Sequence, residues 1–168
     1  IRLSSQENAG MGKTLNRMLS VVDAEWVVRM DADDVMMPHR IESQLAFAEE
    51  HPGVTVTSSL VEYVDNKGRS IGKSTSVHTT IESVREYVVK NEPIGFHHPA
   101  AMFRRSAVLA CGGYRPQFWP AEDIDLWNRL AEQGHDIMVQ PEYLLKYRIH
   151  GSSVSVSRAW DARRKLSW

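Results

Sequence analysis

The sequence predicts a single α/β domain in which a sheet of short strands is flanked by helices. Segments with apolar residues at helical spacing alternate with short β-branched runs along the chain. A length of 168 residues suits one ordinary domain with its own core rather than two. One further feature points towards function, because the short apolar run Trp26–Met30 leads directly into carboxylates at Asp31, Asp33 and Asp34.

Apolar residues at helical spacing predict the helices. The predicted segments are residues 10–22, 38–51, 80–90, 105–110 and 122–133. In the second segment, Pro38 suits the first turn, and Ile41, Leu45 and Ala48 are expected to face the core. Thr80 is an acceptable N-cap for the third. Glycines after residue 111 and at position 134 are typical of the ends of the last two helices.

Short apolar and β-branched runs between these helices predict the strands. They are residues 26–30, 54–58, 60–64, 100–103, 136–139 and 144–149. Asp65–Gly68 is typical of a turn between two extended segments. Strands and helices therefore alternate, which favours an α/β sandwich.

The composition excludes several classes of partner and location. The net charge of −1 provides no general attraction for nucleic acid or for an anionic membrane. Cys111 is the single cysteine, which excludes an internal disulfide framework and fits the reducing cytoplasm. We expect a cytoplasmic protein that binds no nucleic acid. A peripheral contact with the inner face of the membrane is compatible with the basic and aromatic segment 158–168, although a solvated helix end explains that segment as well.

The acidic cluster that follows Trp26–Met30 is a candidate cation site. Carboxylates this close together repel one another, and a hard ion such as Mg²⁺ or Mn²⁺ takes oxygen ligands from one or two of them together with substrate phosphates. The carboxyl end of a parallel strand is also where open α/β sheets bind ligands. For an isolated Asp-x-Asp, an acidic turn that caps the next helix is the more common explanation. The segment lacks the glycine and the terminal glutamate of an EF-hand loop.

A second acidic pair, Glu122 and Asp123, stands at the start of a predicted helix. Asp123 precedes Trp127 by one turn, so its carboxylate is expected on the packed side of the helix while staying near the open end. A general base needs this combination of fixed position and access. Acidic residues in a first turn also complement the helix dipole, which is the purely structural interpretation.

The third candidate is His150, at the end of the last predicted strand. If it meets Asp33 in space, it supplies an imidazole ligand that Mn²⁺ accepts. His97 and His98 form an alternative pair of ligands. We rank them lower because adjacent side chains on an extended segment point to opposite faces.

Several motifs, in order, resemble those of the inverting family 2 glycosyltransferases, which have the GT-A fold. They are Asn8–Gly10 with Lys13 and Asn16, the DxD loop Met30–Pro38, the stretch Met102–Arg105, the glycine loop Gly112–Tyr114, the ED motif Glu122–Trp127 and the histidine motif Tyr147–His150. The resemblance covers nearly the whole chain.

The resemblance implies a Rossmann-like GT-A sandwich of a mostly parallel sheet flanked by helices. Residues 1–168 would form one catalytic domain, with residues 151–168 as a C-terminal loop and tail. This family begins with a strand, a helix and a strand that hold the nucleotide base. Because Ile1–Leu3 reads as the tail of a strand, we expect the fold to be incomplete at its N-terminus.

The resemblance also implies an activity and a role for each motif. A sugar would pass from a UDP-, GDP- or dTDP-sugar to the hydroxyl of a glycan or lipid-linked acceptor, with Mn²⁺ or Mg²⁺ as cofactor. Asp123 would be the general base. The metal would be held by Asp33, His150 and Asp31; the donor would be bound by Asp31, Asp33, Lys13 and Asn8; and the acceptor would be bound by Glu122, Gly112, Gly113 and Trp127.

Two other interpretations stay open at the level of sequence. In a haloacid-dehalogenase-like phosphatase, Asp31 would be the nucleophile and Asp33 the acid and base, but the second acidic pair should then lie at the end of a strand. Glu122 and Asp123 instead open a helix. In the other interpretation, a glycosyltransferase-like fragment without its N-terminal strands serves as a non-catalytic binding module.

Overall fold

The computed structural model describes residues 3–151, 153 and 161, and it shows a mixed sheet with helices packed against it. The helices are α1 Met11–Val21, α2 Arg40–Glu50, α3 Ile81–Val89, α4 Arg105–Ala110 and α5 Glu122–Glu132. The strands are β1 Trp26–Val28, β2 Val35–Met36, β3 Val54–Val64, β4 Ser70–Lys73, β5 Met102–Arg104 and β6 Asp136–Arg148. All five predicted helices are present, and Thr80 caps α3 through a reciprocal pair of hydrogen bonds with Ser83.

The sheet runs in the order β1-β5-β3-β6-β2, with β4 paired to β3. The α/β class is confirmed, but the expectation of a mostly parallel sheet is corrected. Among the described strands β3 and β6 pair in parallel, and the other pairings are antiparallel. Parallel pairing needs a long crossover, whereas β4 follows its partner β3 through a short turn without a helix between.

The parallel pair β3 and β6 forms the longest ladder of the sheet. Each was predicted as two strands, and each is one. The predicted break in β6 corresponds to a bulge, because Ser59 pairs with Gln140 while Leu60 pairs with Tyr143. Pro141 lies in this bulge. Proline has no N–H to donate, and a bulge is a position where the ladder needs no such donor. The ladder then continues as far as Arg148, next to the candidate histidine.

The core lies between the sheet and helices α3, α4 and α5. Its largest fully buried apolar side chains include Trp127 and Leu126 from α5 and Phe103 from β5. The stacked rings of Phe96 and Trp127, with centroids 5.1 Å apart, extend this core towards the loop before β5. Burial of α5 along this face fixes the position of the acidic pair in its first turn.

Helix α2 buries only part of the face that its apolar residues predict. Ala48 is buried and Leu45 is partly buried, but Ile41 is 45% exposed, whereas Arg40 and Gln44 are fully buried. The Arg40 guanidinium donates to Gln44 Oε1 at 2.9 Å, to the Arg29 carbonyl at 3.1 Å and to the Ala101 carbonyl at 3.4 Å. A buried guanidinium is tolerated where its N–H groups find acceptors, as Nε and Nη2 do here, whereas Nη1 is buried without a partner among the described residues. Arg40 therefore ties α2 to the ends of β1 and β5.

Across the described residues, every helix is too short or too polar to cross a bilayer. The predicted tail falls largely outside the described residues, which include only positions 151, 153 and 161 beyond His150.

We expect Arg40→Met to lower the free energy of unfolding by about 2–4 kcal/mol, because it leaves two buried carbonyls and the Gln44 amide without their donor. Urea denaturation followed by circular dichroism measures this loss. Arg85→Met is the matched control, since Arg85 is an arginine of an exposed ion pair with Asp136, and its loss should cost about 0–1 kcal/mol. Equal losses for the two variants would contradict the structural role of Arg40.

Candidate functional site

The acidic loop, residues 29–34, leaves the end of β1 and turns back towards β2. Its start is anchored by the Arg29 amide, which donates to the Ala101 carbonyl at 3.0 Å, and the turn is closed by the Asp34 amide on the Asp31 carbonyl at 3.3 Å. This geometry brings Asp31, Asp33 and Asp34 together, with one carboxylate oxygen from each within 4.8 Å of the others.

The end of β6 brings His150 to this loop. Its Nε2 lies 3.0 Å from Asp33 Oδ2, although the two residues are 117 positions apart in the sequence. The hydrogen bond from His150 holds the pKa of Asp33 below its ordinary value, and the charge of Arg148 acts in the same direction. The proximity that the sequence analysis required of His150 and Asp33 is therefore present.

Asp34 is the buried member of the acidic loop. Its Oδ1 accepts the Arg148 amide at 2.8 Å, while its Oδ2 is buried and has no hydrogen-bond partner among the described residues. Burial raises the pKa of Asp34 to about 6. The Arg148 guanidinium also donates to the carbonyls of Asp33 and Asp65, both at 2.8 Å. Arg148, at the end of β6, thus holds the acidic loop in place.

The donor set of the acidic loop fits a divalent cation. Carboxylate oxygens suit Mg²⁺ and Mn²⁺, and an imidazole is a further ligand that Mn²⁺ accepts. The unpartnered Oδ2 of Asp34 is the observation that favours an ion here, because a buried carboxylate oxygen without a partner is costly unless a ligand completes it. Oxygens of Asp31, Asp33 and Asp34 are close enough to share an ion, and His150 adjoins this group through Asp33. The predicted metal roles of Asp31, Asp33 and His150 stay predictions.

The second acidic pair opens helix α5. Glu122 is only 6% exposed, its Oε2 has no hydrogen-bond partner among the described residues, and burial raises its pKa. Burial and the neighbouring charge of Glu122 raise the pKa of Asp123 to about 6. A carboxylate with that pKa is ionised at neutral pH and accepts a proton readily, as a general base must.

Arg29 adds a positive charge to the acidic loop. Its guanidinium pairs with both oxygens of Asp31. Its charge partly offsets the burial that raises the pKa of Glu122 and of Asp123, while the charge of Asp31 adds to the rise for Glu122. The acidic loop and the start of α5 therefore influence one another electrostatically. No pattern in the sequence singled out Arg29.

The two other candidate histidines are engaged elsewhere. His98 is buried, and its Nε2 lies 2.9 Å from the hydroxyl of Tyr114; burial and the charge of Arg29 hold its pKa well below the ordinary value. His97 Nε2 lies 2.9 Å from the hydroxyl of Tyr63, and burial lowers its pKa to about 4. Neither of these hydrogen bonds involves the acidic loop, in contrast to that of His150 with Asp33.

The glycine loop is fastened to two helices. Gly112 and Gly113 adopt φ values of 85° and 69°, which favour glycine. The Asn16 side chain from α1 accepts the Tyr114 amide and donates to the Tyr114 carbonyl, both at 2.8 Å. Arg129 from α5 donates to the Gly113 carbonyl at 2.7 Å. These contacts explain the glycines structurally, and their acceptor-binding role stays a prediction.

The two residues predicted to bind the donor from the start of the chain lie at α1. Asn8 accepts the Gly10 amide at 3.0 Å just before α1, and Lys13 is exposed on α1, so their donor-binding roles stay predictions.

The structure corrects the assignment of Trp127 to the acceptor. Its indole is fully buried between Phe96 and Phe103, and a side chain without exposed surface cannot contact an acceptor. Trp127 instead supports the acidic pair one turn earlier.

Arg29, Arg40 and Arg148 are the functional-site residues that sequence reasoning missed. An arginine in the last position of an apolar strand, as at Arg29, is a weak sign that its side chain is recruited by nearby carboxylates. Nothing in the spacing of Arg40 or Arg148 indicates that they reach the same loop.

We expect Gly112→Ala and Gly113→Ala to differ in stability. Both force alanine into a positive φ, which costs about 1–2 kcal/mol. A Cβ at Gly112 meets open space, but at Gly113 it would lie 2.5 Å from Asn16 Oδ1 and displace an amide that makes two hydrogen bonds. Gly113→Ala should therefore cost about 1–2 kcal/mol more in denaturant unfolding. Equal costs would mean that Asn16 does not fix the loop.

We expect Asp123→Asn to stabilise the fold above acidic pH. The folded protein raises the pKa of this carboxyl from 3.8 to about 6, so ionisation favours the unfolded chain as the pH rises. Asparagine has no charge to bury. Its gain in the free energy of unfolding should be absent below about pH 4, grow up to about pH 6 and then level off at about 3 kcal/mol. Equal stability of both proteins at neutral pH would contradict this account.

Comparison with a solved structure supports the fold. The mannosyltransferase PcManGT from Pyrobaculum calidifontis, in complex with GDP-Man and Mn²⁺, superposes with a TM-score of 0.65 at 21% sequence identity. The match covers 96% of this chain and 42% of that one. At this level of identity the likeness establishes the GT-A fold alone.

Comparison of sequences identifies the family. An uncharacterized glycosyltransferase of Haemophilus influenzae is 33% identical over 162 residues, which cover 96% of this chain and 58% of the relative. The amylovoran biosynthesis glycosyltransferase AmsE of Erwinia amylovora is 30% identical over 156 residues, covering 93% and 57%. The chain thus spans little more than half the length of these curated relatives. The family model described as "Glycosyltransferase like family 2" matches residues 1–166, and the chain belongs to that family of glycosyltransferases.

Proposed function

We propose that this chain is the catalytic part of a metal-dependent, inverting hexosyltransferase. It would move a sugar from a nucleoside-diphosphate sugar to the hydroxyl of an acceptor. The observation that carries the proposal is the contact of His150 with Asp33, in a loop whose charges act on a second acidic pair at the start of α5. One acidic group suits a cation and the other suits a base.

The names of similar proteins support the donor class. PcManGT is in complex with GDP-Man and Mn²⁺, which is a nucleotide sugar together with a divalent cation. AmsE is named for amylovoran biosynthesis, and a 30% identical Escherichia coli relative is named as a galactosyltransferase that uses UDP-Gal and a diphosphoundecaprenol-linked acceptor. We infer a GDP-, UDP- or dTDP-sugar as donor and a glycan or lipid-linked acceptor.

In the proposed mechanism, the acidic loop holds the cation. Asp33 and His150 would bind it together with Asp34, and the ion would supply positive charge that stabilises the departing nucleoside diphosphate. Asp31 would face the donor. Asn8 and Lys13 would contact the donor from the start of α1, where Lys13 adds a positive charge for the phosphates.

Asp123 would act as the general base. With a pKa of about 6 it is ionised at neutral pH, and it would take the proton of the acceptor hydroxyl as that oxygen attacks the sugar. Attack from the face opposite the leaving diphosphate inverts the anomeric centre. Glu122 and the glycine loop at Gly112 and Gly113 would help to bind the acceptor.

The phosphatase interpretation is not favoured. Both oxygens of Asp31 are paired with Arg29, which makes this carboxylate a weaker nucleophile. The second acidic pair opens helix α5 instead of ending a strand. The non-catalytic interpretation leaves the raised pKa of Asp123 and the unpartnered Glu122 Oε2 without a use.

In the full-length protein, Asp123→Asn should reduce sugar transfer by about 100-fold or more while leaving nucleotide-sugar binding within about twofold, because the base acts only in the chemical step. Asp33→Asn should instead abolish the dependence of donor binding on Mn²⁺. Transfer is measured with radiolabelled nucleotide sugars and binding by calorimetry. Asp136→Asn, in an exposed ion pair, is the control and should retain full activity. Loss of donor binding in Asp123→Asn would argue against the base role.

A further inference from the structure

Asp31 and Arg29 form a two-point ion pair at the edge of the proposed metal site. Arg29 Nη1 donates to Asp31 Oδ2 at 2.7 Å, and Nη2 lies 2.5 Å from Oδ1. The arginine side chain is 9% exposed, and that of Asp31 is 36% exposed. Both carboxylate oxygens of Asp31 are therefore engaged, and paired Arg–carboxylate contacts of this kind are among the stronger ones in proteins.

The fold fixes the arginine in this position. The Arg29 amide donates to the Ala101 carbonyl at 3.0 Å, and the Arg29 carbonyl accepts from the buried Arg40 guanidinium at 3.1 Å. Both backbone hydrogen-bonding groups of Arg29 are thus anchored to β5 and α2. The ion pair with Asp31 follows from this placement.

The three aspartates of the acidic loop are not equivalent as ligands. An oxygen of Asp31 lies within 4.8 Å of oxygens of Asp33 and Asp34, so it could reach a shared ion. Asp34 is more than nine-tenths buried, and its Oδ2 has no partner among the described residues, whereas Asp31 has Arg29 on both oxygens. The oxygen that is short of a partner belongs to Asp34.

We propose that Arg29 is a positioning residue that holds Asp31 away from the divalent cation, so that Asp33, Asp34 and His150 bind the ion. This inference rests on the proposed function and assigns the ligands within it. A Mg²⁺ or Mn²⁺ ion that serves a nucleotide sugar needs open positions for phosphate oxygens and water. With Asp31 bound to Arg29, one coordination position fewer is taken by the protein.

If Arg29 holds Asp31 away from the ion, removal of Arg29 should strengthen metal binding. Removal of Arg29 frees a carboxylate next to the ion and also removes a positive charge that repels it, and both changes favour cation binding. A residue with a merely structural role would have the opposite effect, because a disturbed loop binds the ion less well. The direction of the change therefore separates the two roles.

The test is Mn²⁺ binding by the full-length protein, followed through the electron paramagnetic resonance signal of free Mn²⁺. We expect Arg29→Met to lower the dissociation constant for Mn²⁺ by about five- to tenfold. The double variant Arg29→Met/Asp31→Asn has the same net charge as the wild type, and it should bind Mn²⁺ within about twofold of the wild type. Arg85→Met is the surface control and should not change binding. Should Arg29→Met fail to fold, Arg29→Lys, which can pair with one oxygen only, should still bind Mn²⁺ about two- to threefold more tightly than the wild type.

Two outcomes would overturn the role of Arg29 while wild-type binding is intact. One is weaker Mn²⁺ binding by a folded Arg29→Met. The other is a double variant that loses as much affinity as Asp33→Asn, since that would make Asp31 a ligand in the wild type. Absence of Mn²⁺ binding by the wild type, in contrast, would overturn both this proposal and the metal-dependent function.

Discussion

The candidate site depends on the hydrogen bonds of the buried Arg40 guanidinium. This guanidinium has no exposed surface, and it joins α2 to the carbonyls of Arg29 and Ala101, which terminate β1 and precede β5. The acidic loop begins at that point, and its carboxylates repel one another. A loop of this kind needs an anchor that is itself positively charged. Arg40 supplies both the hydrogen bonds and a charge that interacts with Asp34.

Three arginines contact the acidic loop and offset its negative charge. Arg40 donates to the carbonyl that begins the acidic loop, Arg148 holds the loop from the end of β6, and Arg29 pairs with Asp31 within it. The three arginines come from a helix, a strand and the loop itself. The long ladder between β3 and β6 carries Arg148 to the loop, and the register across its bulge sets where that strand ends. A change in sheet register would therefore alter the candidate site and not only the core.

The two acidic groups retain features that a purely structural role does not explain. Asp34 and Glu122 each have a buried oxygen without a partner among the described residues, and burial raises the pKa of both, as it does for Asp123. Proteins keep such costly groups mainly where ligands complete them. The stacking of Trp127 on Phe96 holds α5 rigidly enough for its first turn to keep these charges in place. These buried carboxylates thus lower the stability of the fold, and they are the groups that the proposed chemistry needs.

The sequence by itself determined the α/β class, the positions of the helices, the family motifs and their order, and the meeting of Asp33 with His150 as a testable expectation. These follow from local periodicity and from residue types that carry chemistry wherever they occur. The tertiary structure alone decided the antiparallel pairings, the continuity of β3 and β6, the burial of Arg40 in place of Ile41, and the pairing of Arg29 with Asp31. An arginine has the same local pattern on a surface as in a core, and only the acceptors around it in three dimensions determine where its charge is stable.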